Sequence, residues 1–159
     1  MFHPRLKSWL DEYAADHQHP TNQLIHKLCV PLIVFHVLAM LDWVHLAALP
    51  FVEGWSLSLG HLAAAAALAF YFWGSTKYGL LLLVWAVGCL WVSHYTPWWL
   101  TTGLAVVLWA LQLVGHKLYE RNTPSLTRNL IQALIGPVYV FAVMLKDYRS
   151  SDLSPAAVG

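Results

Sequence analysis

Residues 24–41 read LIHKLCVPLIVFHVLAML, and this stretch decides the fold. A hydrocarbon core of roughly 30 Å takes about 20 helical residues at about 1.5 Å each, so the run is adequate for one crossing, if slightly short. Thr21 or Asn22, just ahead of it, can cap the helix through a side-chain oxygen that accepts a free backbone N–H. Three more apolar runs follow, 57–73, 79–92 and 98–114, bordered by Trp55, Tyr78, Tyr95, Trp98 and Trp99 as rings at a membrane–water boundary would be. Upstream, residues 4–16 predict a short amphipathic helix at the membrane surface, with Leu6, Trp9, Leu10 and Tyr13 on one face and Lys7, Asp11 and Glu12 elsewhere. Pro20 interrupts that helix and lets the chain turn before the first crossing. The fold class is all-α: a polytopic membrane bundle of about four spans.

A fifth apolar run, 130–145, is broken midway by Gly136-Pro137, because proline deprives one carbonyl of its donor. Charge settles its placement. Arg5, Lys7, Lys77, Lys117, Arg121 and Arg128 fall before span one, between spans two and three, and after span four. The alternate loops, 42–56 and 93–97, hold Asp42 and Glu53 but no Lys or Arg. The positive-inside rule therefore makes the N-terminus, the 74–78 loop and the segment after 115 cytoplasmic. Lys146 and Arg149 directly follow the fifth run, so it is expected to be a C-terminal interfacial or re-entrant helix. Residues 1–149 then form a single integral membrane domain, and the small, polar, Pro-containing 150–159 a disordered tail. Compactness points to a bacterial inner membrane.

Composition excludes several classes. Of 159 residues, 58% are hydrophobic and 11% charged, far from the soluble average. Nine Lys/Arg against eight Asp/Glu leave no field to recruit nucleic acid. Cys29 and Cys89 lie inside apolar runs without C-x-x-C spacing, so neither marks a redox motif. The start, Met1-Phe2-His3-Pro4-Arg5, is not a signal peptide. The nine tryptophans mostly sit near span ends and read as belt anchors.

The nine histidines are the chemically informative residues, since ionisable groups near membrane depth need partners or a function. His17, His19, Asn22 and His26 precede or open span one, while His116 and Glu120 end span four. With three crossings before it, span four ends on the side where span one begins, which places both groups at one membrane face. Asn22/His26 and His116/Glu120 are i,i+4 pairs, so each helix can aim two polar groups in one direction. Two or three imidazoles with one carboxylate suit a non-heme Fe(II) site with open positions, and zinc or manganese would accept the same ligand types. His19 is a candidate supporting group. His3, His36, His45, His61 and His94 are scattered and read as interfacial or core residues. Lys117, Arg121 and Arg128 are explained by positive-inside anchoring, and they could also hold a substrate carboxylate or thioester.

Two long blocks carry a resemblance. The first is Tyr13-x3-His17-x2-Pro20-x-Asn22-x2-Ile25-His26, leading through Val30-Pro31 into a span. The second is Trp109-x2-Gln112-x-Val114-Gly115-His116-x3-Glu120-Arg121-x2-Pro124-x-Leu126-x2-Asn129-Leu130-x-Gln132-x-Leu134, ending at Pro137. Here the chain resembles the membrane-embedded 2-hydroxy fatty acid dioxygenases, the family of a fungal endoplasmic-reticulum enzyme of fatty acid α-oxidation. The middle matches only in hydropathy, and the central region and tail are shorter than in that family. The resemblance implies an Fe(II)-dependent reaction of O₂ with a 2-hydroxy fatty acid, yielding the acid one carbon shorter and CO₂. It implies His17, His26 and His116 as iron ligands, Glu120 as a ligand or as the partner that orients an imidazole, and Asn22 as a hydrogen-bonding neighbour. The H-x3-H and H-x2-H-H boxes of membrane di-iron enzymes do not occur.

Two readings compete with the oxygenase. One is a non-enzymatic membrane protein that binds lipid or a partner, its histidines serving as interfacial hydrogen-bonding groups. The other is a b-type haem protein ligated from different spans, for which only His36 and His61 lie well inside apolar runs.

Overall fold

The computed structural model describes residues 2–48, 56–120 and 131–149. Six α-helices run along them: α1 (Pro4–Ala15), α2 (Pro20–Asp42), α3 (Leu59–Gly74), α4 (Thr76–Ser93), α5 (Trp98–Gly115) and α6 (Ile131–Met144). A short antiparallel pair, β1 (His45–Ala48) and β2 (Ser56–Ser58), joins α2 to α3. Among the described residues three helices are long and apolar enough to cross a membrane: Pro20–Asp42, Thr76–Ser93 and Trp98–Glu120, the last being α5 continued through a π-helical stretch, His116–Glu120. The apolar α3 and α6 are shorter. Large apolar side chains on the long helices, among them Leu28, Val84 and Val106, are exposed, which suits lipid and not water.

The chain forms two compact units, Met1–Pro31 with Leu108–Gly159, and Leu32–Val107. In the second, α3 and α4 pair as a helical hairpin. Its core is Leu38, Ala64, Ala86, Cys89 and Leu90, with Val34, Phe35 and Trp85 against them. Gly60 lets α3 approach α2 closely: a Cβ there would lie 2.9 Å from the Leu38 carbonyl oxygen. Buried Asp42 accepts hydrogen bonds from Ser58 Oγ at 2.5 Å and Ser93 Oγ at 3.0 Å, tying the ends of three helices. Ser58 also caps α3 in a reciprocal box with His61. His45 meets Ser56 Oγ at 2.7 Å, and His36 Nδ1 meets the Leu32 carbonyl.

The other unit is built on α1 against α6. Leu6, Leu10, Tyr13 and Ala14 of α1 are buried, as are Ile135, Val138, Tyr139 and Ala142 of α6. Asp11, assigned to the polar side of α1 from sequence, is buried instead. Its carboxylate accepts from Tyr148 Oη at 2.6 Å and from Lys7 Nζ at 3.1 Å. Tyr148 reaches it because the chain turns sharply after α6, with Lys146 in the left-handed region at φ 61°. The Asp147 and Tyr148 N–H groups both donate to the Ala142 carbonyl.

Two local expectations change. Helix α6 is continuous through Gly136-Pro137; a proline costs one hydrogen bond, and burial of its flanks outweighs that cost. Helix α2 begins at Pro20, the position where a missing N–H costs least, so neither Thr21 nor Asn22 is its cap. His19 takes that role, its Nδ1 accepting from Thr21 N–H at 3.2 Å. The tail 150–159, with Arg121 and Arg128, lies outside the described residues.

Candidate metal centre

Three imidazoles meet in the unit built on α1 and α6. His17 stands in the four-residue bend between α1 and α2, His26 two turns into α2, and His116 at the start of the π-helical stretch. Their exposures are 1%, 4% and 2%. One nitrogen from each lies within 4.8 Å of the others. The ring centroids of His17 and His26 are 4.2 Å apart, those of His17 and His116 4.8 Å, and those of His26 and His116 5.1 Å. A π-helical turn is uncommon and recurs at functional sites; here it carries His116.

Tyr13 organises two of the rings. Its carbonyl accepts from His17 Nδ1–H at 2.6 Å, which places that ring's only proton on Nδ1 and leaves a lone pair on Nε2. Its hydroxyl lies 3.0 Å from His26 Nδ1. The Nε2 atoms of both His17 and His26 are buried without a hydrogen-bond partner. Burial, with His116 adding repulsion, lowers the His17 pKa to about 4, so the imidazole is neutral at physiological pH. Burial foremost also holds the Tyr13 phenol well above its ordinary range.

These features fit a metal ion. At His17 and His26 a buried imidazole with a bare Nε2 and an engaged Nδ1 is the arrangement by which proteins orient histidine ligands. Donors on one ion stand roughly 3–3.4 Å apart for bonds of about 2.1 Å, a spacing that small side-chain rotations reach from here.

The remaining candidates fall around the triad. Glu120 Oε1 accepts from the His19 N–H at 2.9 Å and from Asn22 Nδ2 at 3.2 Å, so this carboxylate ties the π-helical stretch to the start of α2. The cluster of possible ligands contains the three histidines and not Glu120. Asn22 is fully buried, its Oδ1 without a partner. It packs on Gly115, where a Cβ would come within 2.6 Å of that oxygen. The His19 ring stacks on Tyr119 at 4.8 Å instead of joining the triad. Lys117 is exposed beside buried His116. Sequence reasoning gave no role to Tyr13 or Tyr139, whose rings lie 4.0 and 6.2 Å from His17. The spacing Tyr13/His17, one helical turn, was a usable signal for the first; nothing local marks the second.

Fold and site together define a helical protein with three helices long and apolar enough to cross a membrane and a buried trihistidine cluster. Residues 4–148 match the family described as Mpo1-like, 2-hydroxy-palmitic acid dioxygenase Mpo1-like, and the chain belongs to that family. It is 31% identical over 140 residues to the 2-hydroxy-palmitic acid dioxygenase MPO1 of Saccharomyces cerevisiae, covering 84% of this chain and 75% of the yeast protein. No solved structure matches it significantly.

Proposed function

We propose that the chain is an Fe(II)-dependent dioxygenase that shortens 2-hydroxy fatty acids by one carbon. The observation that carries this reading is the convergence of His17, His26 and His116 with two buried, partnerless Nε2 atoms. Family membership and the similarity to the yeast enzyme support it. In the overall balance, one 2-hydroxy acid and one O₂ give the shorter acid, CO₂ from the former carboxyl carbon, and water.

Bound at the triad, Fe(II) supplies the one-electron chemistry that lets O₂ react with a closed-shell acid. The protein's own part is to present neutral donors in a dry site. The Tyr13 carbonyl fixes the His17 tautomer, and the Tyr13 hydroxyl accepts the His26 Nδ1 proton so that Nε2 faces inward. Glu120 and Asn22 are positioning residues: through His19 they hold the first turn of α2 against the π-helical stretch, keeping His26 opposite His116. The substrate's acyl chain lies along the apolar helices, which accounts for a membrane setting.

The same reading takes α3 as a fourth crossing, α6 as a helix that does not cross, and residues 1–149 as one membrane domain. Charge asymmetry puts the site on the cytoplasmic face. The yeast relative gives no support to a bacterial inner membrane.

The test is the metal content of detergent-purified protein by mass spectrometry, with conversion of 2-hydroxypalmitate under air, with and without added Fe(II). About one iron per chain and pentadecanoate as product are expected. A folded, metal-free, inactive protein would shift the weight to lipid or partner binding.

A further inference from the structure

Helix α5 faces mostly outward near its end: Leu111, Leu113 and Val114 are exposed, and only Leu108, Gln112 and Gly115 are buried between residues 108 and 115. Gln112 is the polar member of that buried set. It is 7% exposed, and its Nε2 has no hydrogen-bond partner. A buried amide N–H without a partner in an apolar helix is costly, so its retention calls for a partner that arrives with function.

Its position says what that partner is. Gln112 precedes His116 by four residues, so it shares the face of α5 that carries the triad histidine, one turn toward the apolar body of the helix. Four residues beyond His116, toward the polar end, Glu120 Oε1 is already engaged by the His19 N–H and Asn22 Nδ2. A lipid whose chain lies along the apolar helices therefore brings its polar end to the triad past Gln112. An amide N–H donates, and the strongest acceptor on a 2-hydroxy acid is its carboxylate.

We propose that Gln112 is a substrate-binding residue whose Nε2–H holds the carboxylate of the fatty acid at the trihistidine cluster. This inference rests on the dioxygenase reading above and deepens it.

The experiment compares full-length wild type, Gln112→Leu and Gln112→Glu in detergent under argon. Metal per chain is measured, together with equilibrium binding of 2-hydroxypalmitate and of its methyl ester by tryptophan fluorescence. Wild type should bind the acid. Gln112→Leu should bind it about ten- to a hundred-fold more weakly while changing ester binding far less, because only the acid offers a charged acceptor. The nearly isosteric Gln112→Glu should weaken the acid further through like-charge repulsion, with metal content unchanged. Equal losses for acid and ester, or an unchanged acid-to-ester ratio in both variants, would overturn the role of Gln112 and leave the dioxygenase reading standing. Failure of wild type to bind 2-hydroxypalmitate would remove both.

Discussion

Tyr13 and His17 lie ring over ring, centroids 4.0 Å apart and planes within 7° of parallel, while the Tyr13 carbonyl accepts the His17 Nδ1 proton. One residue thus fixes both the plane and the tautomer of its neighbour, and through its hydroxyl it reaches His26 as well.

That double role predicts a graded response. Tyr13→Phe keeps the stacked ring and the carbonyl but removes the group facing His26 Nδ1. Metal affinity should fall about 10- to 100-fold, the usual effect of losing a group that orients a ligand. Tyr13→Ala should cost more, because the buried ring is lost too. Competition against a fluorescent chelator measures both.

Gly115 is where α2 and the end of α5 approach. Gly115→Ala puts a methyl 2.6 Å from Asn22 Oδ1 and 3.2 Å from Ile25 Cδ1. Asn22 cannot swing away without releasing Glu120, so the helices must part. A loss of about 1–3 kcal/mol of stability is expected from such overpacking, with weaker metal binding, read from thermal melts and metal titration.

Ligands and positioning groups should separate on substitution. His17→Ala, His26→Ala and His116→Ala should each abolish metal binding, whereas His45→Ala, in β1 and outside the cluster, should leave it intact. Glu120→Gln retains an oxygen that can accept the same two N–H groups, and so should keep most of the metal. Metal loss in Glu120→Gln equal to that in His116→Ala would make Glu120 a ligand.

The His17 pKa is depressed in the folded protein, from 6.5 to about 4, chiefly by burial. Between those values the unfolded chain binds a proton that the folded one does not. The stability contribution is therefore intact above about pH 6.5, falls as pH drops toward 4, and changes no further below. Metal-stripped wild type should lose melting temperature across this window more steeply than His17→Gln.

Away from the triad, Tyr148→Phe removes the phenol that donates to the buried Asp11 carboxylate. The cost should be about 1–3 kcal/mol, since a buried charge loses a donor, with metal content unchanged. Denaturation in mixed detergent checks the first, mass spectrometry the second.

Hydropathy and helical periodicity make a mostly helical chain with membrane-length apolar runs legible, because both are local properties, whereas α6 runs unbroken through the Gly136-Pro137 site where proline placement predicts a break. The i,i+4 spacings also pair Asn22 with His26 and His116 with Glu120 from sequence alone. What spacing could not say is which member of a pair turns toward which neighbour. The resemblance implies Glu120 as a ligand or as the partner that orients an imidazole, and only the packed structure shows its Oε1 accepting from His19 and Asn22, groups about a hundred residues away in the chain. Tyr13 and Asp11 differ in the same way, since an amphipathic pattern assigns faces but not the partner that Tyr148 supplies after the turn at Lys146. In the sequence Gln112 appears only as one position of the second resemblance block. Its significance emerges only with burial and an unpartnered amide one turn from His116, because hydrogen-bond satisfaction belongs to the packed molecule and not to any segment of it.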